Sequence, residues 1–279
     1  MRVLGSVGGG CIQPAVRIEA PEGTLFLKYG RDTPPGFFAA EAEGLEQLRA
    51  ASRHLRIPVV HHVQDVAEAG GFGWIALEWL EPGVRGRDFA ARLAEGLSEL
   101  HAPAGGGWGW ARDGFIGTLP QANGAATDWA TFWWRRRLEP QLELTRRRGL
   151  LPASAAEWER LEARLPEMLA AAERDGPSLL HGDLWGGNIL AIATGEAALV
   201  DPAAYRGHRE VDLAMSELFG GLDATVYREY EALRPLQPGY REWRRGIYQL
   251  YYLLVHVNLF GEGYVGHTAA TLRSALAHS

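Results

Sequence analysis

The chain has 279 residues, 47% hydrophobic and 22% charged, which is enough for one large domain or two lobes. Its net charge of -6 argues against nucleic acid, whose binding needs a basic patch. One cysteine, Cys11, rules out an intramolecular disulfide framework and suits a reducing cytoplasm.

The opening "MRVLGSVGGG" is too short and glycine-rich for the apolar core of a signal peptide. It leads into "CIQPAVRIEA", where Pro14 removes an N–H donor and belongs at an edge or bulge. "PEG" signals a turn, and "TLFLKYG" alternates as a strand should. "PPGFFAAEAEGLEQLRAA" starts with prolines and sets Phe38, Leu45 and Leu48 at helical spacing. "IPVVHHVQDVAEAG" and "GFGWIALEWLEPG" supply two more strands around a Gly-Gly turn. Five strands and one helix therefore make a small N-lobe over residues 1–82, with a short link near 80–84. Residues 83–279 read as a larger, mainly helical C-lobe, with helices expected at 86–101, 127–148, 153–174, 208–219, 223–233, 239–260 and 267–278. A long glycine-rich loop covers 102–126, a length that is often functional. The basic runs "RRRL" at 135–138 and "RRRG" at 146–149 fall in helical periodicity and are expected to form a solvated face. "GIYQLYYLLVHVNLF" at 246–260 contains Gln249, His256 and Asn258 and is shorter than the ~20 residues that span a bilayer, so it reads as a core helix.

The chemistry concentrates in "PSLLHGDLWGGNILAI", residues 177–192, which reads as strand, loop, strand. Asp183 can orient an alcohol and accept its proton in phosphoryl transfer, and Asn188 offers a hard oxygen suited to Mg²⁺. Their five-residue spacing is that of the protein-kinase catalytic loop. Thirteen residues beyond Asn188 the apolar run "EAALV" ends on Asp201, the position for a second metal carboxylate, although Pro202 and Ala203 replace the usual Phe-Gly. His181 reads as an orienting residue that bonds loop backbone. Lys28 is the single lysine beside 27 arginines, so a compact point charge is wanted there where a planar fork would not serve. Glu41 lies on the apolar side of the following helix and Glu43 toward solvent, so Glu41 is the expected partner of Lys28. Gly8, Gly9 and Gly10 form a loop before the lysine strand whose N–H groups can meet phosphate oxygens, without the Walker pattern. Cys11, at the edge of that loop, is a candidate for oxidative closure of the site.

"LLHGDLWGGNIL" followed by "LVDPAAYRGHREVDLAMSELFGG" resembles the fructosamine kinase (ketosamine-3-kinase) family, a branch of the aminoglycoside and choline kinase-like superfamily. "GGGCI", Lys28, "FIGTLPQANG", "DWATFWWRRRL" and "LFGEGYVG" extend the resemblance over essentially the whole chain. It implies an α+β, bilobal protein-kinase-like fold that binds ATP and Mg²⁺ between its lobes. The implied reaction phosphorylates the 3-hydroxyl of a ketosamine, free or on a glycated protein; the 3-phosphate then eliminates and frees the amine. On this resemblance Asp183 is the base, Asn188 and Asp201 hold metal, Lys28 and Glu41 hold phosphate, and Trp185 faces the sugar. Backbone near Glu78 and Leu80 reads adenine. One departure is Asp113-Gly114 where Asp-Asn is expected before "FIG".

Three functions are weighed. A ketosamine kinase comes first. A kinase of the same fold acting on an aminoglycoside or choline is the alternative, although a polycation needs a denser acidic pocket than these aromatic loops offer. A pseudokinase would have lost a base, a metal ligand or the lysine, and all are present. The expected setting is the cytoplasm, with no membrane or nucleic-acid partner, as a monomer or homodimer.

Overall fold

The computed structural model describes residues 1–8, 13–66 and 71–278. In chain order the elements are β1 (Arg2–Val7), β2 (Ala15–Ala20), β3 (Gly23–Arg31), α1 (Phe37–Ala51), β4 (Val60–Gln64), β5 (Phe72–Glu78) and α2 (Phe89–Leu100). Next come β6 (Gly114–Ile116), β7 (Leu119–Gln121), α3 (Trp129–Phe132), a π-helical turn (Trp133–Leu138), α4 (Glu139–Arg147), α5 (Ala155–Met168), α6 (Ala170–Asp175) and β8 (Ser178–Leu180). The chain ends with β9 (Ile189–Ala191), β10 (Ala197–Leu199), β11 (Tyr205–Gly207), α7 (Glu210–Phe219), α8 (Ala224–Leu233), α9 (Arg245–Phe260) and α10 (Val265–Ala277). The class is α+β, as expected.

Two compact units result. The first comprises Met1–Leu100, His181–Ala204 and Phe219–Arg234; the second comprises His101–Leu180, Tyr205–Leu218 and Pro235–Ser279. The lobes expected at 1–82 and 83–279 divide the chain by type of secondary structure, these units by compactness.

In the first unit the five strands form one antiparallel sheet, ordered β1-β2-β3-β5-β4. Ile18, Leu25 and Ala76 centre the core of one face, flanked by Val16, Ala20, Leu27 and Trp74. Strand alternation turns Phe26 and Lys28 to the opposite face. β3 continues three residues past Lys28, because β5 supplies partners out to Phe72. Helix α1 packs beside β4 and β5, and Gly73 leaves room for Phe38, since a Cβ there would lie 2.9 Å from the ring. The start of α1 has no local side-chain cap; Asp65 accepts its Phe38 N–H at 2.8 Å and its Ala39 N–H at 3.3 Å. A carboxylate on two orphan amides at a helix N-terminus is a favourable arrangement.

The second unit is built on aromatics. Trp129, Trp133, Trp158, Tyr205, Tyr248 and Tyr251 are among its fully buried side chains. Arg137 is fully buried too, against the expectation of a solvated face for 135–138. The π-helical turn carries Trp133, Trp134, Arg137 and Leu138 inward together. The Arg137 guanidinium lies 3.9 Å from the Tyr205 ring centre and 4.7 Å from that of Phe132. It also donates to Ala122 O at 2.5 Å and Asn123 Oδ1 at 2.8 Å, so both terminal nitrogens are engaged while the buried Nε has no hydrogen-bond partner. Arg146, Arg147 and Arg148 are exposed, as expected.

Asn123 is also the answer to the Asp113-Gly114 departure. Its N–H donates to Asp113 Oδ1 at 2.7 Å, its Nδ2 to Arg112 O at 3.1 Å, and its carbonyl accepts from Trp110 N–H at 2.7 Å. The loop ahead of the β6–β7 hairpin is thus anchored without a second asparagine.

Candidate active site

The loop between β8 and β9 holds its shape through His181 and Gly182. His181 is fully buried; its Nδ1 accepts the Asp183 N–H at 3.2 Å and its Nε2 lies 2.9 Å from Val200 O. An acceptor at Nδ1 and a carbonyl at Nε2 fix the neutral tautomer with its proton on Nε2. The His181 carbonyl accepts from Ala203 N–H at 2.9 Å. Gly182 sits at φ +80°, and a Cβ there would lie 2.1 Å from Ala203 O, so only glycine fits. These bonds tie the 181–183 turn to the 200–203 segment, and so fix Asp183 relative to Asp201.

Asn188 completes the link. Its Nδ2 reaches Asp183 O at 2.9 Å, Asp183 Oδ2 at 3.2 Å and Asp201 O at 3.4 Å. All three partners are oxygens, so the amide nitrogen is the end that faces them and Oδ1 points away. Asp183 is half-buried and Asn188 buried. Trp185, half-buried, starts a short 3-10 turn, Gly186–Asn188. Gly187 makes room for its indole: a Cβ there would fall 2.4 Å from the ring.

Lys28, only 5% exposed, donates to Glu41 Oε1 at 2.8 Å and to Asp201 Oδ1 at 2.6 Å. Glu41 is buried on α1, one turn from Leu45, while Glu43 is partly exposed. Gly44 lets the 202–204 segment come close to α1, since a Cβ there would lie 3.2 Å from both Pro202 and Ala204. Burial pushes the Glu41 carboxyl above the usual carboxylate range, with Asp201 adding to the rise and Lys28 opposing it. One ammonium is shared between two carboxyl groups. Asp201 stands at φ +54°, a left-handed conformation that costs a non-glycine residue roughly 1 kcal/mol.

Of the sequence-predicted residues, Lys28, Glu41, His181, Asp183, Asn188 and Asp201 come together in the first unit. Gly8 is exposed beyond the end of β1. Gly9, Gly10 and Cys11 lie outside the described residues. Glu78 ends β5; its N–H donates to Val59 O at 2.8 Å, and its carboxylate is held by Arg56 and by Val59 N–H. Glu78 and Leu80 line a cavity of about 430 Å³ with Arg53, Arg56 and Trp79. The sequence alone does not point to Gly182, Gly44 or Asp65 as positioning residues. The positive φ of Gly182 has no sequence signature, and Asp65 is 27 residues from the helix start it caps.

No helix among the described residues is long and apolar enough to cross a membrane. A probable ketoamine kinase of Synechocystis is 38% identical over 97% of this chain and 89% of its own length. The chloroplastic protein-ribulosamine 3-kinase of Arabidopsis thaliana is 37% identical over 94% of this chain and 78% of its own. The crystal structure of a candidate fructosamine-3-kinase from Thermobifida fusca superposes with a TM-score of 0.83 at 34% identity, covering 99% of this chain and 94% of that one. An aminoglycoside phosphotransferase at 18% identity and TM-score 0.58 shares the kinase-like fold. The sequence model described as fructosamine kinase matches residues 2–278, and the chain belongs to the fructosamine kinase family.

Proposed function

We propose that this protein transfers the γ-phosphate of ATP to the 3-hydroxyl of ketosamines, the adducts of sugars with free amines or protein lysines, and so acts as a deglycation kinase. The observation that carries the reading is one cluster: Lys28 held between Glu41 and Asp201, with Asp201 joined through Asn188 to Asp183. Those are the parts phosphoryl transfer requires.

Asp183 accepts the hydroxyl proton as the sugar oxygen attacks phosphorus and ADP departs. Lys28, oriented by Glu41, neutralises the phosphates. The second Asp201 oxygen and Asn188 Oδ1 are hard donors that fit Mg²⁺, which prefers one or two protein oxygens plus phosphate. When bound, the ion offsets the charge that develops on the transferring group. Trp185 offers an aromatic face to the C–H surface of the sugar. Backbone at Glu78 and Leu80 serves the adenine; since the Glu78 N–H is engaged with Val59, its carbonyl is the group on offer there. A single cysteine in 279 residues is in keeping with work in the cytoplasm.

The test is ATP consumption with fructosamine, ribulosamine, choline and aminoglycoside acceptors, followed by NMR location of the phosphate. Turnover with a ketosamine, phosphorylated at O3, is expected. Turnover confined to the other alcohols overturns the reading.

A further inference from the structure

Two segments of the first unit meet beside Trp185. Gly186 N–H donates to Gly220 O at 2.7 Å, and a Cβ on Gly221 would lie 2.8 Å from Gly186 N and 3.1 Å from the Trp185 carbonyl carbon. The backbone at 220–221 therefore rests directly on the backbone at 185–186. Asp223 follows two residues on, within roughly 7 Å of Gly221 at full extension. It is the N-cap of α8: Oδ1 accepts from Thr225 N–H at 2.9 Å and Val226 N–H at 3.1 Å. Capping fixes the carboxylate and leaves Oδ2 facing outward, where Arg85 Nη1 meets it at 3.1 Å. Arg85 belongs to a segment pinned by Gly83 N–H to Ala191 O at 2.9 Å and Gly86 N–H to Gly195 O at 3.0 Å. Its side chain is 54% exposed and that of Asp223 48%, so this cation can leave without opening the core.

We propose that Asp223 receives the amine of the acceptor substrate, and that Arg85 stands in for that cation in the free protein. The inference rests on the ketosamine reading. The secondary amine of such an adduct is an ammonium at neutral pH, and it lies four bonds, roughly 5 Å, from the 3-hydroxyl. With O3 at Asp183 and the sugar against Trp185, the amine points along the 185–186 backbone toward the segment that carries Asp223. The carboxylate thereby selects sugars joined to an amine over free ketoses, and Arg85, as an internal competitor, weakens that selection.

The test uses a fructosyl-amine adduct and its N-acetylated counterpart, whose amide nitrogen is uncharged. Asp223→Asn keeps the cap, because asparagine caps as well as aspartate. It is expected to raise KM for the charged adduct about fivefold, the size an exposed charge pair carries, and to leave KM for the N-acetyl adduct where it was. Arg85→Ala is expected to lower KM for the charged adduct alone. An Asp223→Asn variant that shifts both KM values equally, or neither, overturns the contact. Wild-type protein that phosphorylates neither adduct, nor the corresponding ribulosyl pair, overturns the kinase reading and the contact with it.

Discussion

Two buried charge clusters, one in each compact unit, are assembled from similar residues and behave differently. In the second unit Arg244 faces Glu210 in a bidentate pair at 2.8 and 2.9 Å, with side chains 1% and 0% exposed. Arg244 also donates to Pro238 O and Gln237 O, at 2.7 and 2.9 Å. One cation meets one anion and four of the five guanidinium N–H groups are engaged, so this cluster holds the 237–244 turn to α7. In the first unit Lys28 is asked to satisfy two carboxylates, Asp201 is in a left-handed conformation, and burial lifts the Glu41 carboxyl. Charge balance and a bidentate fit mark a structural pair. A shared cation, strain and a lifted carboxyl mark a group waiting for a ligand.

That contrast can be broken at several points. The largest effect is expected at Asp183→Asn, which should lower kcat about 10³-fold while nucleotide binding, read by fluorescence titration, survives. A kcat near wild type would remove the base assignment. In the structural cluster, Arg244→Ala strands a buried glutamate and should cost about 3–5 kcal/mol in urea denaturation, with little change in KM for the protein that remains folded. A loss below 1 kcal/mol would mean that the pair is not what holds the turn. Lys28→Arg keeps the charge but replaces the point donor with a fork in a site already full; kcat/KM should fall about 10²-fold. Full activity would show that any cation serves.

The smallest effect has an opposite sign for stability and for activity. Glu41→Gln should raise Tm by about 2 °C at pH 8 while lowering kcat/KM, because it removes a carboxylate that the fold resists ionising. Below pH ~4 both folded and unfolded chains hold this proton, so the two melting curves should coincide. As pH rises past that value the unfolded chain gives up this proton before the folded one does, so wild type loses stability relative to the variant. A gap that closes instead of widening as pH rises would reverse the sign assigned to Glu41.

Much of the first unit is legible in the residues themselves. Strand alternation fixes the face of Lys28, and the 3.6-residue period separates Glu41 from Glu43. The spacing of Asp183 and Asn188 is local, so no tertiary information is needed to see it. What stays hidden depends on long-range packing. Asp65 caps α1 from the far end of β4, and Gly44 matters only because Pro202 and Ala204 come against it. Arg137 misleads for the same reason: a basic run on an apparent helix face reads as solvated until a π-helical turn rotates one member into aromatic rings. Asn123 looks like one polar residue in a glycine-rich loop, yet four of its groups are engaged.

The lysine at the centre of the first unit's charge cluster has a further consequence for the fate of the molecule itself. Amadori chemistry begins with attack of an unprotonated, accessible ε-amine on a sugar carbonyl. The sole ε-amine in this sequence is 5% exposed and hydrogen-bonded to the Glu41 and Asp201 side chains. Every other basic position that could have been lysine is arginine or histidine. A protein that works among glycating sugars thus presents them with no lysine to modify, and does not accumulate on its own side chains the lesion it removes from others.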